Sequence, residues 1–249
     1  MQKIKTKIHK ASIYQFESFF HLDFLTDRIS SSYDDNTSLT KIYKIIEELS
    51  LSYIDIIHYD KNPTLIPFKY YDQDIKSKYL ETNLNSKGNI NEDISDDKEV
   101  AVVYSRNKDL SKILSLDNKI FSHTNQFTKL YNYLSGIVKN LDGLSFFINI
   151  NSKSFEIIIF NKNEFLFFNS FEIVDENEYL YYTFFVLKNF QSSYVNDKII
   201  FLGKYEKFEN FYNLTSKYSK IDFIENDIHN LLNFKEHFFS ILNENNIRK

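Results

Sequence analysis

Between residues 143 and 224 the chain alternates apolar and polar positions in short, closely spaced blocks. Gly143 to Ile150, Ser154 to Phe160 and Glu164 to Glu172 are rich in Phe, Ile and Leu and are split by the polar turns NSK and NKN, which predicts three successive strands. In the third, Phe165, Phe167, Asn169 and Phe171 lie on one face and Leu166, Phe168, Ser170 and Glu172 on the other. Two largely apolar faces predict a strand covered on both sides. The period changes from Asp175 to Phe190. Leu180, Phe184 and Leu187 form one stripe, with Tyr182, Phe185, Val186 and Phe190 around it, and an apolar surface nearly all round predicts a buried helix. Its acidic first turn suits the helix dipole. Lys198 to Leu202 reads as a strand, Glu206 to Tyr218 as a helix, Lys220 to Ile224 as a strand and Ile228 to Asn243 as a terminal helix.

The first half repeats this order less regularly. Ile4 to Ile8, Ser12 to Phe16 and Phe19 to Phe24 predict three strands, and SSSYDDN at 30–36 a turn. Ile42, Ile45, Ile46 and Leu49 mark a helix over Thr37 to Leu51, followed by a strand from Tyr53 to Tyr59. Pro63 and Pro67 bracket an extended piece. Asp72 to Leu80 reads as helix, the polar Asn83 to Lys98 as a flexible segment, and Glu99 to Tyr104 as a buried strand. A short helix from Asp109 to Leu114, a strand from Lys119 to Ser122 and a helix from Asn125 to Lys139 complete the half. Three strands, helix, strand, helix, strand, helix thus occur twice, and such recurrence outweighs any single element. The pattern predicts an α/β protein of two lobes, 1–140 and 141–249, each a mixed sheet flanked by helices. The terminal helix either completes the second lobe or packs back on the first.

Composition narrows the function. Aromatic residues make up 17% of the 249 residues, with Gly 4 and Pro 2, as in proteins of AT-rich genomes, so core filling explains the Phe and Tyr better than a stacking surface. The net charge of −4 and the presence of only Arg28, Arg106 and Arg248 argue against direct nucleic-acid contact. Cys 0 excludes disulfides, thiolate metal sites and a Cys nucleophile. The N-terminus has no apolar signal core, and no run of about 18 apolar residues offers a membrane span. A cytoplasmic location is the expectation.

Little catalytic chemistry is visible. His9, His21, His58, His123, His229 and His237 include no HExxH pair, so no metal is expected. His58 reads as a hydrogen-bonded sheet residue, and EDISDDKE at 92–99 as a solvated acidic loop without an EF-hand's spacing. The four glycines, Gly88, Gly136, Gly143 and Gly203, are spaced too widely to supply a complete P-loop, dinucleotide fingerprint or nucleophile elbow.

The two three-stranded openings with αβ continuations resemble the duplicated ribonuclease H-like core of the actin, sugar kinase and Hsp70 (ASKHA) superfamily. NPTLIPFKYYDQD at 62–74, EFLFFNSFEIVDENEYLYYTFFVL at 164–187, IIFLGKYEKFENFYNL at 199–214 and, more weakly, FKEHFF at 234–239 resemble a Bacteroidetes family of actin-like ATPase fold, DUF3822. The resemblance implies ATP with Mg between the lobes, held by glycine-rich hairpin turns whose backbone approaches the phosphates. Where that pattern has Asp, a residue and Gly-Gly-Gly-Thr, this chain has Asn149, Ile150, Asn151, Ser152, Lys153 and Ser154. The matching turn of the first half is expected around His9 to Ser12, with neither Gly nor Asp. The paired glycines of the adenosine turn are reduced to Gly203, followed by Lys204. The expectation is a pseudo-ATPase that needs no cofactor and acts as a scaffold or adaptor for a protein partner, with homodimerisation as an alternative. A second reading keeps ATP on Asn149, Asn151, Ser152, Lys153, Ser154, Gly203 and Lys204. A third, implied by the resemblance alone, is an accessory role in rRNA modification or ribosome maturation.

Overall fold

The computed structural model describes residues 10–15, 19–24, 27–32, 36–48, 51–59, 63–81, 89–106, 119–151, 154–193 and 197–224. The chain divides into two compact units, Met1–Asn132 and Tyr133–Lys249. Each is built on a five-stranded mixed sheet.

In the N-terminal unit the strands are β1 (Lys10–Gln15), β2 (Phe19–Phe24), β3 (Asp27–Ser32), β4 (Tyr53–His58) and β8 (Ile120–Asn125), in the spatial order β3-β2-β1-β4-β8. In the C-terminal unit β9 (Leu144–Ile150), β10 (Ser154–Asn161), β11 (Glu164–Glu172), β12 (Lys198–Leu202) and β13 (Ile221–Ile224) are ordered β11-β10-β9-β12-β13. Both sheets open with an antiparallel meander, and both continue with two strands parallel to the first. The repeated mixed sheet is the one that the repeated pattern predicts, and its strand order is the duplicated ribonuclease H-like one that the resemblance implies.

The helices are α1 (Asn36–Glu48), α2 (Lys76–Glu81), α3 (Gln126–Ile137), α4 (Glu176–Asn189) and α5 (Glu209–Ser216). In the N-terminal unit Ile42 and Ile46 of α1 pack on Ala11, Ile13, Ile54 and Ile56. In the C-terminal unit Tyr179, Val186 and Leu187 of α4 and Tyr212 of α5 cover Phe146, Ile148, Phe155, Ile157, Ile199 and Phe201. Aromatic rings fill this core edge to face, as with Phe155 and Tyr179 at 4.9 Å and Tyr179 and Phe211 at 4.8 Å. Asp175 caps α4 by accepting from the Asn177 and Glu178 amides, and Glu178 accepts from the Val174 amide in return.

Several expectations are corrected. Residues 27–32, the last three of them in the segment read as turn, form β3, so the meander of the first half runs one strand later along the chain than expected. The expected strand at Ile4 to Ile8, the short helix at Asp109 to Leu114 and the terminal helix lie outside the described residues. The polar segment at 83–98 contains β6 (Asn89–Ile94), which pairs with β7 (Val100–Arg106), and β7 pairs in turn with β5 (Thr64–Pro67) to give a third sheet. β11 is an edge strand with half-buried side chains. β10, buried from Ser154 to Phe160, is the strand covered on both faces. Nor is α4 buried all round, because Tyr181 and Phe185 stack on each other with more than half of each side chain exposed.

Candidate functional site

Parallel pairing of β9 with β12 brings the carboxyl ends of these strands side by side, which places the Asn149–Ser154 turn and Gly203 at the same end of one sheet. Asn149 faces Glu156 across the β9–β10 ladder, one rung below the last, Ile150 against Phe155. Both side chains are buried, and the Asn149 Nδ2 donates to Glu156 Oε2 at 2.7 Å. Asn151 closes the turn by donating its amide to the Ser154 carbonyl. Ser152 and Lys153 lie outside the described residues.

Gly203 has φ +80, and a Cβ there would come within 2.6 Å of the Tyr205 ring. Tyr205 is itself buried, and its amide donates to the Tyr212 hydroxyl, which donates onward to the Gly203 carbonyl. Lys204 is exposed, with its Nζ 5.3 Å from the centre of the Phe223 ring. The space that glycine leaves beside the backbone is filled by the protein's own phenol.

The matching hairpin of the N-terminal unit does not lie at His9 to Ser12, since Ala11 and Ser12 are inside β1. The β1–β2 ladder ends at Gln15 against Phe20, so the rung corresponding to Asn149 and Glu156 is Tyr14 and His21. Tyr14 is buried.

Sequence reasoning missed a second polar cluster, in the N-terminal unit. Asp55 in the middle of β4 is buried and accepts from Ser122 Oγ at 2.6 Å, Thr124 Oγ1 at 3.3 Å and Lys129 Nζ at 2.7 Å. On the opposite face at the carboxyl end of β4, His58 Nε2 and His123 Nδ1 are 2.9 Å apart, so His58 is a hydrogen-bonded sheet residue as expected. Asp93, expected in a solvated loop, instead accepts from the Asn125 amide at 2.6 Å, Thr128 Oγ1 at 2.9 Å and the Tyr104 hydroxyl at 3.3 Å. Only the turn after β6 is exposed. The signal for the cluster was present in YIDIIH, where an acid interrupts an apolar strand and so needs a partner. Among the described residues no group of three or more His, Cys, Asp or Glu could hold a metal ion.

The family model described as "Protein of unknown function (DUF3822)" matches residues 9–221. The chain belongs to the DUF3822 family. The DUF3822 chain superposes on a protein from Bacteroides thetaiotaomicron with an actin-like ATPase fold and unknown function. The TM-score is 0.72 at 17% identity, covering 91% of this chain and 96% of the other. It also superposes on a chain of the PilM–PilN type IV pilus biogenesis complex with a TM-score of 0.59 at 10% identity, covering 88% of each. No curated protein matches it in sequence. These likenesses establish the two-lobed actin-like ATPase fold. No described helix is long and apolar enough to cross a membrane.

Titration of the DUF3822 cluster has a definite sign. Burial, then the neighbouring His123 and Arg106, lower the His58 pKa to about 3, against a partial opposing effect of Asp55. Burial and Arg106 also lower His123. Burial raises Asp93 to about 6, although the Asn125 amide, the Thr128 and Tyr104 hydroxyls and Lys129 hold it down. The histidines therefore contribute stability that is present above pH 6.5 and lost on acidification toward pH 3. Asp93 contributes stability that is present below pH 3.8 and lost as the pH rises through about 6. The two oppose each other between pH 4 and 6. Asp93→Asn removes the counterweight and is expected to steepen the acid loss of stability over that range. The slope should gain up to about 1.4 kcal/mol per pH unit, read from denaturant midpoints at several pH values. An unchanged slope would contradict the assignment.

Proposed function

We propose that this DUF3822 protein is a non-catalytic, actin-like scaffold of the cytoplasm that acts by binding another protein, with its nucleotide site degenerate. The observation that carries the reading is how the groups at the expected phosphate and adenosine turns are used. The Asn149 amide is committed to the buried Glu156 carboxylate, and the room beside Gly203 is taken by Tyr205. A carboxylate beneath the turn repels a phosphate, and a filled glycine notch excludes the close backbone approach that phosphate binding uses. The corresponding rung of the other unit offers Tyr14 and His21. A relative in fold occurs in the PilM–PilN complex, which is consistent with assembly as a use of this architecture. The exposed Tyr181–Phe185 stack is of the residue type enriched at protein interfaces.

The test is the melting temperature with and without millimolar ATP and Mg²⁺. A ligand at a hundred times its Kd stabilises by roughly 2.7 kcal/mol, which for a chain of this size is roughly 5–10 °C. No shift is expected. A shift of that size would overturn the scaffold reading and return attention to ATP on Asn149, Asn151, Ser152, Lys153, Ser154, Gly203 and Lys204.

A further inference from the structure

We propose that the carboxyl end of β4 and β8 in the N-terminal unit binds a small oxyanion, a phosphate or carboxylate group, through Arg106, Asn125 and the His58–His123 pair. The inference goes beyond the scaffold reading and does not depend on it.

Charge pairing in the cluster is nearly complete, and Arg106 is the exception. Lys129 is paired with Asp55, and Asp93 is taken up by the Asn125 amide and two hydroxyls. Arg106, at the end of β7, has no side-chain hydrogen bond or ion pair among the described residues, and its Nε is fully buried without an acceptor. A guanidinium is a fork of donors suited to an oxyanion, and a desolvated donor left unmade costs free energy unless a ligand completes it. Tyr104 and Arg106 share one face of β7 by strand alternation, and the Tyr104 ring lies 5.8 Å from His58. The guanidinium charge acts on both imidazoles.

Asn125 supplies a second incomplete donor. It lies opposite His58 in the β4–β8 ladder and is completely buried. Its Oδ1 accepts from the Phe127 amide at 2.8 Å, while its Nδ2 has no acceptor. The imidazole pair adds one donor more. With a single N–H shared between His58 Nε2 and His123 Nδ1, one outer ring nitrogen remains protonated and the other accepts. Half-buried His123 is the more accessible of the two. Arg106, Asn125 and the imidazole pair thus present donors from two sheets, at the strand ends where open α/β sheets place ligands.

Thermal melts in inorganic phosphate and in acetate, at ionic strength matched with chloride, test this. A rise of roughly 3–5 °C is expected at ten times the dissociation constant. A rise with phosphate, with acetate or with both supports the site and says which head group fits. The rise should be larger at pH 6 than at pH 8. Asp93, which burial raises to about 6, carries less charge at pH 6 and repels an entering anion less, Tyr104 is raised by burial and stays neutral, and the Asp55–Lys129 ion pair lies on the other face of β4. Arg106→Leu should abolish the response yet melt no lower than the native protein without anion, because it removes a half-buried cation with no partner. Arg106→Lys, which keeps a point charge but not the fork, should retain a weakened response even if the leucine variant does not fold. No rise with either anion, or an equal rise in Arg106→Leu, would overturn the proposal. An ATP shift that survives in Arg106→Leu would count against the scaffold reading instead, so the two ideas fail separately.

Discussion

Replacing Asp55 by alanine is expected to destabilise the protein by about 3–5 kcal/mol, the usual loss when one partner of a buried ion pair is removed. The side chain is almost wholly enclosed and accepts hydrogen bonds from Ser122, Thr124 and Lys129. Truncation leaves an ammonium and two hydroxyls facing an apolar gap in the centre of a five-stranded sheet. The double substitution D55A/K129M is expected to recover much of the loss, since it removes both charges together. Chemical denaturation of the four proteins in the cycle measures this directly. A loss under about 1 kcal/mol for D55A, the value of a solvent-exposed pair, would show that water reaches the carboxylate and that the pair is not a core element.

Gly203→Ala is expected to cost about 2–4 kcal/mol, from two separable sources. At φ +80 an L side chain is strained by roughly 1–2 kcal/mol. The added methyl would also meet the Cε2, Cζ and Oη atoms of Tyr205 at 2.6–2.7 Å. That ring cannot swing away cheaply, being buried and set edge-on to Phe208 at 6.1 Å. In a Tyr205→Ala background the same substitution should therefore cost only the backbone strain. If the cost is the same in both backgrounds, the ring is not what fills the notch, and the physical basis offered for a degenerate adenosine turn is lost.

The C-terminal half was legible because its strands are apolar and its turns short. β9, β10, β11, α4, β12 and β13 fall within a residue or two of the elements that periodicity predicts. The N-terminal half misled where polar residues form strands. DRISSS pairs at a sheet edge as β3, and NINEDI is recruited as β6 by its ladder to β7. In both cases tertiary pairing overrides a composition that locally favours turn. Asp93 shows why the second cluster escaped notice. Its carboxylate is satisfied by the backbone of Asn125 and the hydroxyl of Thr128, more than thirty residues away, and no spacing rule encodes such a contact. Asp55 and Lys129 are farther apart still, at 74 residues. Asn149 and Gly203 could be found because the family pattern points to those positions. What occupies the space around them, Glu156 and Tyr205, is a matter of packing that the pattern does not contain.

The edge position of β11 has a consequence for the protein at high concentration. Among the described residues nothing pairs with the outer side of this nine-residue strand, and an open ladder carrying Phe165, Leu166, Phe167, Phe168 and Phe171 is a ready template for growth by strand addition. The strand is bracketed by exposed Glu164 and Glu172. If two copies paired antiparallel about Phe168, each Glu164 would face the other copy's Glu172, and like charges would oppose each other at both ends. In such a pairing the two glutamates would act as gatekeepers against fibre formation.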